Sequence, residues 1–115
     1  MPPNAPEVFV RWESFVHWLF ARTEKLPKRL RFTVTTRVDN LALDVFERLA
    51  AARYTRARAP LLSRVNLDLE KLRLFVRLLH DDGHLDHKAF AHACAEIDTA
   101  GRMVGGWLRH TETRT

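Results

Sequence analysis

The stretch that decides the fold is residues 59–83, APLLSRVNLDLEKLRLFVRLLHDDG. Its large aliphatic residues recur at alternating spacings of three and four, which is the pattern of a helix with one buried face: Leu62, Val65, Leu69, Leu72, Val76 and Leu79. Pro60 suits the first turn of this helix, and Gly83 suits its C-terminal end. The pattern predicts a helix over about residues 60–82 with one side against a core.

Three other segments show the same periodicity and predict helices over about residues 6–24, 28–58 and 87–110. They are separated by breaks at Pro27, at Pro60 and at residues 81–83. Asp86 is a suitable N-cap for the last helix, with Leu85 and Phe90 as a hydrophobic staple around it. Because short connections favour antiparallel neighbours, the sequence predicts an all-α, antiparallel up-down four-helix bundle as a single domain, residues 1–115.

The sequence predicts a cytoplasmic location and no membrane-spanning helix. No apolar run approaches the roughly 20 residues that cross a bilayer, and residues 1–6 lack the order of a signal peptide. The single cysteine, Cys94, cannot form an internal disulfide and is expected to be a buried, inert thiol. We therefore expect a cytoplasmic protein with no membrane partner.

The sequence contains no recognisable catalytic motif. It has no glycine-rich phosphate loop, no nucleophile motif and no acid–base pair at catalytic spacing. His80, His84 and His87 lie close in sequence, but Gly83 interrupts the helix on which metal ligands would need a common face. We predict no enzyme activity, no cofactor and no metal site.

A second apolar stripe lies on the predicted outer side of two helices. Successive residues of a helix are about 100° apart, so this stripe lies opposite the buried face of the predicted helix over residues 60–82. The same spacing, seven residues and then four, recurs on the predicted helix over residues 28–58. Apolar residues on both sides of a helix indicate a surface buried in an oligomer, although isolated exposed leucines are also common. The predicted oligomer interface comprises Leu43, Ala50, Tyr54, Leu67, Leu74 and Leu78.

The charge balance is basic: 19 Lys and Arg against 14 Asp and Glu give a net charge of +5. Arginine suits phosphates and carboxylates at interfaces, but a basic surface can also be a solvated helix face or complement a helix dipole. Arg53, Arg56 and Arg58 cluster near the end of the predicted helix over residues 28–58, with no acid between Glu47 and Asp68. The candidate residues for nucleic-acid or polymerase binding are Lys28, Arg29, Arg31, Arg37, Arg53, Arg56, Arg58, Arg64, Arg73 and Arg77.

Glycines interrupt the last helix at Gly101, Gly105 and Gly106. Glycine costs about 1 kcal/mol at a helical position, so three of them predict the close approach of another helix. Trp107 beside them is a candidate interface anchor.

Several short stretches resemble one protein family over about residues 7–110. The most specific is GRMVGGWL at residues 101–108, and the others are LPK at 26–28, RFT at 31–33, RVDNLA at 37–42 and RY at 53–54. They are similar to the accessory variability determinant proteins of diversity-generating retroelements. The resemblance implies a four-helix bundle that assembles into a basic, barrel-like homopentamer.

The same resemblance implies function and partners. Such proteins are non-catalytic subunits that bind the retroelement's reverse transcriptase and associate with RNA or DNA, supporting mutagenic reverse transcription of a template RNA. Two alternatives stay open. One is a related four-helix family encoded within intervening sequences of ribosomal RNA genes, and the other is a purely structural oligomeric scaffold.

Overall fold

The computed structural model describes residues 4–113, with side chains described for residues 7–111. Residues 1–3 and 114–115 of the predicted domain lie outside this range. Four α-helices span Asn4–Thr23 (α1), Thr36–Ala52 (α2), Ala59–Asp81 (α3) and His87–Thr113 (α4). No strand occurs among the described residues. None of the helices in this range is long and apolar enough to span a membrane. The prediction of an all-helical chain with four helices is confirmed.

Contacts between side chains fix the direction of each helix. Phe9 of α1 stacks on Phe46 of α2 at 5.0 Å between ring centroids, and the indole of Trp12 donates to the Ala42 carbonyl at 2.9 Å. On the other side of α1, Arg11 pairs with Glu96 of α4. Each helix packs on its neighbours in sequence and α4 packs back on α1, so the four form an antiparallel ring.

The core lies along the predicted inner faces. On α3 every residue of the 62–79 heptad pattern is buried, and on α1 the buried side chains include Val8, Trp12, Phe15 and Leu19. Two indoles, Trp12 and Trp107, are the largest fully buried side chains. The resulting bundle measures 47 × 25 × 19 Å.

The turn between α3 and α4 follows the predicted local rules. Gly83 has a φ of +81°, in the left-handed region that favours glycine. The amide of His84 donates to the Leu79 carbonyl at 2.8 Å, which closes the end of α3. The carboxylate of Asp86 accepts the amide of Ala89 at 2.7 Å, so the predicted N-cap is confirmed.

The second helix differs from the prediction of a single helix over residues 28–58. Its entrance is a 3₁₀ turn at Lys28–Leu30 followed by a π-helical turn at Arg31–Thr35. The hydroxyls of Thr33 and Thr36 donate to the Leu30 and Arg31 carbonyls, which perturbs the regular α-helical ladder. The far end is shorter than predicted, because α2 ends at Ala52. There the amides of Arg53 and Tyr54 donate to carbonyls three residues back, and the Thr55 hydroxyl donates to the Ala51 carbonyl at 2.9 Å.

The prediction that the α4 glycines accommodate a neighbouring helix is wrong within the protomer for the two glycines whose surroundings are described. A Cβ at Gly101 would meet nothing within 4 Å, and one at Gly105 would meet only a side-chain nitrogen of Arg109 at 3.4 Å. Trp107 points into the core of its own bundle.

Candidate nucleic-acid interface

The ten candidate cations do not form one surface. Lys28, Arg29 and Arg31 precede α2, whereas Arg53, Arg56 and Arg58 follow it. The 17 residues of α2 rise by roughly 24 Å, so these two groups lie at opposite ends of the bundle. Arg64, Arg73 and Arg77 are spread along α3 between them.

The cations before and within the first turn of α2 are exposed to solvent. We call Lys28, Arg29, Arg31, Phe32 and Arg37 the junction patch. None of its four cations forms an ion pair with a carboxylate among the side chains described for residues 7–111. The Phe32 ring lies among them with 87% of its surface exposed. Positive charge and an exposed aromatic ring therefore occur together within ten residues.

The cations after α2 are held by aromatic rings instead. We call Arg53, Arg56 and Arg58 the loop arginines. The guanidinium of Arg53 lies 5.0 Å from the Phe9 ring centroid, and that of Arg58 lies 5.4 Å from the Trp107 centroid. Arg58 also donates from Nε to the Thr55 carbonyl at 3.0 Å. Of the three loop arginines only Arg56 is exposed, and the other two are half-buried and take part in local packing.

Two of the three α3 arginines are paired with carboxylates. Arg64 lies 3.5 Å from Asp68, whose side chain is only 1% exposed and also accepts a hydrogen bond from Arg48 of α2. A buried carboxylate held by two guanidiniums joins α2 to α3. The sequence alone does not reveal this cluster, because Arg48 and Asp68 lie on different helices and are 20 residues apart. Arg77 is exposed.

Arg73 connects α3 to α4. It pairs with Glu70 at 3.5 Å and with Asp98 of α4, to which it also donates a hydrogen bond. Partial burial alone would lower the pKa of Arg73, but the hydrogen bonds and negative charges of Asp98 and Glu70 raise it. Its positive charge is therefore balanced by the carboxylates of Glu70 and Asp98 within the bundle.

The outer apolar stripes occupy two different surfaces. Leu67, Leu74 and Leu78 are each about half exposed along α3. On α2, Leu43 lies in a groove with Glu13, Val16, His17 and Phe46, so it belongs to the α1–α2 side. Arg48, about 140° further round α2, faces α3. Ala50 is half-buried, and Tyr54 lies beyond the end of α2 with 85% of its surface exposed.

His80 and Cys94, which the sequence offered as candidates for a metal site and a reactive thiol, have packing roles. The His80 ring stacks on Phe90 at 4.1 Å, and no group of three or more His, Cys, Asp or Glu within the described range is placed to hold a metal ion. Cys94 is half-buried, and this burial raises its pKa, which disfavours the reactive thiolate.

Comparison with known proteins identifies the family. A family model described as bAvd-like matches residues 8–111, which includes all four helices and both groups of arginines. Searches of curated proteins and of solved structures gave no significant match. The match agrees with the resemblance to accessory variability determinant proteins, a family of accessory, non-catalytic type. The chain belongs to the bAvd-like family.

Proposed function

We propose that this chain is a non-catalytic accessory subunit of a diversity-generating retroelement. It assembles with copies of itself in the cytoplasm, binds the reverse transcriptase, and contacts the template RNA or its cDNA through the junction patch. The observation that carries the proposal is the family match over residues 8–111. The bundle adds an exposed basic surface to which a polyanion can bind.

The chemistry of the junction patch favours single-stranded nucleic acid. Cations that have no carboxylate partner are free to replace the counterions around phosphates. An exposed aromatic ring offers a face on which a base stacks, and such stacking contributes about 1–3 kcal/mol per base. Phe32 between Arg31 and Arg37 provides both elements on one segment.

The two outer apolar stripes favour a closed ring of copies. A ring requires each copy to present two different complementary surfaces, whereas a two-fold dimer uses one surface twice. The leucines of α3 and the α1–α2 groove at Leu43 are two such surfaces. Glu13 and Glu47 lie beside Leu43, and Lys71 and Arg77 lie beside the α3 leucines together with the exposed Glu70. Two unlike apolar surfaces favour a closed ring, and the number of five copies is taken from the family resemblance alone.

The test measures the mass of the particle in solution and its affinity for single-stranded RNA. Leu74 is 48% exposed, so Leu74→Glu leaves the core intact but places a charge in the proposed interface. We expect light scattering to give an oligomer for the wild type and a monomer for this variant. Single-stranded RNA should bind the variant at least about tenfold more weakly, because linked sites bind with greater avidity than one. Ala95→Glu, an equal charge on the exposed face of α4, is the control.

Two results would contradict the proposal. A wild-type mass equal to one chain, or a Leu74→Glu mass equal to the wild-type oligomer, removes the α3 leucines from any interface. RNA binding by the wild type that does not weaken as salt rises excludes phosphate contacts and favours a structural scaffold.

A further inference from the structure

A cavity of about 430 Å³ lies between the end of α1 and the irregular start of α2. Its volume falls within the range of small-molecule sites, roughly 300–1,000 Å³. The polar side chains that line it are two carboxylates, two cations and three hydroxyls: Glu24, Asp39, Lys28, Arg31, Thr23, Thr35 and Thr36. The π-helical turn at Arg31–Thr35 forms part of this wall, and such turns occur frequently at functional sites.

Two polar atoms that line this cavity have no partner among the protein atoms described for residues 7–111. They are Asp39 Oδ1 and Thr35 Oγ1, and both are shielded from solvent by the protein. A buried acceptor left unpaired is destabilising, and a ligand that donates a hydrogen bond to it would remove that cost. Burial raises the pKa of Asp39, and the nearby Thr23 hydroxyl opposes part of this effect. The inner part of the cavity is therefore suited to a group that donates hydrogen bonds.

The two cations of the cavity wall, in contrast, favour an anionic group. Lys28 and Arg31 are exposed, and neither forms an ion pair with Asp39 or with any other carboxylate among residues 7–111. They attract an anionic group toward the solvent side of the cavity. A ligand that satisfies the whole site has a hydrogen-bond donor at one end and a phosphate at the other.

We propose that this cavity binds a single nucleotide of single-stranded nucleic acid, with the exocyclic amino group of the base donating to Asp39 and Thr35 and the phosphate contacting Lys28 and Arg31. This inference rests on the proposed function and deepens it, because it selects bases that carry an amino group. Carboxylates accept from the amino group of cytosine in other nucleic-acid complexes. A lysine or arginine of a protein partner could also pair with Asp39, but it would be repelled by Lys28 and Arg31.

The experiment compares CMP with UMP, whose bases differ in an amino group or a carbonyl oxygen at one position. Calorimetric or NMR titration of the full chain should show CMP binding about tenfold more tightly than UMP, since a hydrogen bond to a charged group is worth roughly that factor. Asp39→Asn offers a donor as well as an acceptor and should remove or reverse the preference. Thr35→Val should weaken the binding of CMP.

The cations provide matched controls. Lys28→Ala and Arg31→Ala should weaken CMP and UMP by the same factor, because a phosphate contact does not distinguish the bases. Lys25→Ala removes a nearby exposed cation that neither lines the cavity nor belongs to the junction patch, and should change neither affinity.

Equal affinities for CMP and UMP, or a preference that survives Asp39→Asn, would overturn this inference. Failure of both nucleotides to bind at millimolar concentration would do the same, as would Asp39-dependent binding of arginine amide in their place. If the Asp39→Asn variant still binds RNA with a steep salt dependence in any of these cases, the nucleotide site fails while the proposed function stands.

Discussion

The two ends of α2 carry similar residues in different states. Before the helix, the junction patch has cations without carboxylate partners, an exposed Phe32 and a cavity with unpaired polar atoms. After the helix, Arg53 and Arg58 lie over Phe9 and Trp107. Composition is nearly the same at both ends, and buried polar atoms without a described partner occur at both, since Arg53 Nε and Trp107 Nε1 are in this state after the helix. The difference lies in the guanidinium groups: two of the loop arginines lie over aromatic rings, whereas the cations of the junction patch are exposed. Exposed cations without a carboxylate partner are available to a polyanion, whereas cations over buried or half-buried rings contribute to packing.

The largest effect that tests this comparison is on stability. Trp107 is 1% exposed and supports Arg58, so Trp107→Ala should lower the free energy of unfolding by about 3–5 kcal/mol. Phe32→Ala, at the other end, should change it by less than about 0.5 kcal/mol because the ring already contacts solvent. Chemical denaturation followed by circular dichroism measures both. A large loss of unfolding free energy in Phe32→Ala would mean that packing of the Phe32 ring stabilises the start of α2.

A smaller effect should appear at Asp39. Because burial raises its pKa, the folded state holds this proton to higher pH than the unfolded state, whose value is near 3.8. The contribution of Asp39 to stability is therefore complete below that pH and decreases as pH rises through the folded-state pKa. At pH 7, Asp39→Asn should be neutral or stabilising by less than about 1 kcal/mol, since the side chain is only partly buried.

The measurement is denaturation of both proteins at pH 7 and near pH 3.5. The difference between them should shrink at the lower pH, where Asp39 is mostly protonated in both states. Asp44→Asn on the same helix is a control, because its carboxylate lies 3.8 Å from Arg48 and its loss should not stabilise the chain. A clear loss of stability in Asp39→Asn at pH 7 would show that this carboxylate is a structural group.

Local rules in the sequence were sufficient for most of the fold. The heptad pattern at Leu62–Leu79 predicted the buried face of α3, and Gly83 and Asp86 predicted where one helix ends and the next begins. These features depend on near neighbours in the chain. The end of α2 at Ala52 was missed because no glycine or proline marks it in the sequence, and the last turn tightens through backbone bonds of Arg53 and Tyr54 to carbonyls three residues back.

The charged surface was less predictable because it depends on how the helices are rotated against each other. Asp98 lies four residues before Arg102, a spacing at which helical side chains can pair, but in the fold Asp98 accepts from Arg73 of α3 and Arg102 donates to the Thr99 hydroxyl. The loop arginines form a cluster without a nearby acid in the sequence, yet the rings that hold two of them come from α1 and α4. Phe32 could have been noticed as an aromatic residue between arginines in a segment without apolar periodicity.

The most direct test of the account compares two triple variants for binding to single-stranded RNA over a range of salt concentrations. One replaces Arg29, Arg31 and Arg37 with Gln, and the other replaces Arg53, Arg56 and Arg58 with Gln, under conditions where circular dichroism shows both to be folded. Each lost phosphate contact reduces the slope of log affinity against log salt by about 0.7. The account predicts a reduction of about 2 for the junction variant and less than about 0.7 for the loop variant. An unchanged slope for the junction variant, or a larger reduction for the loop variant, would contradict it.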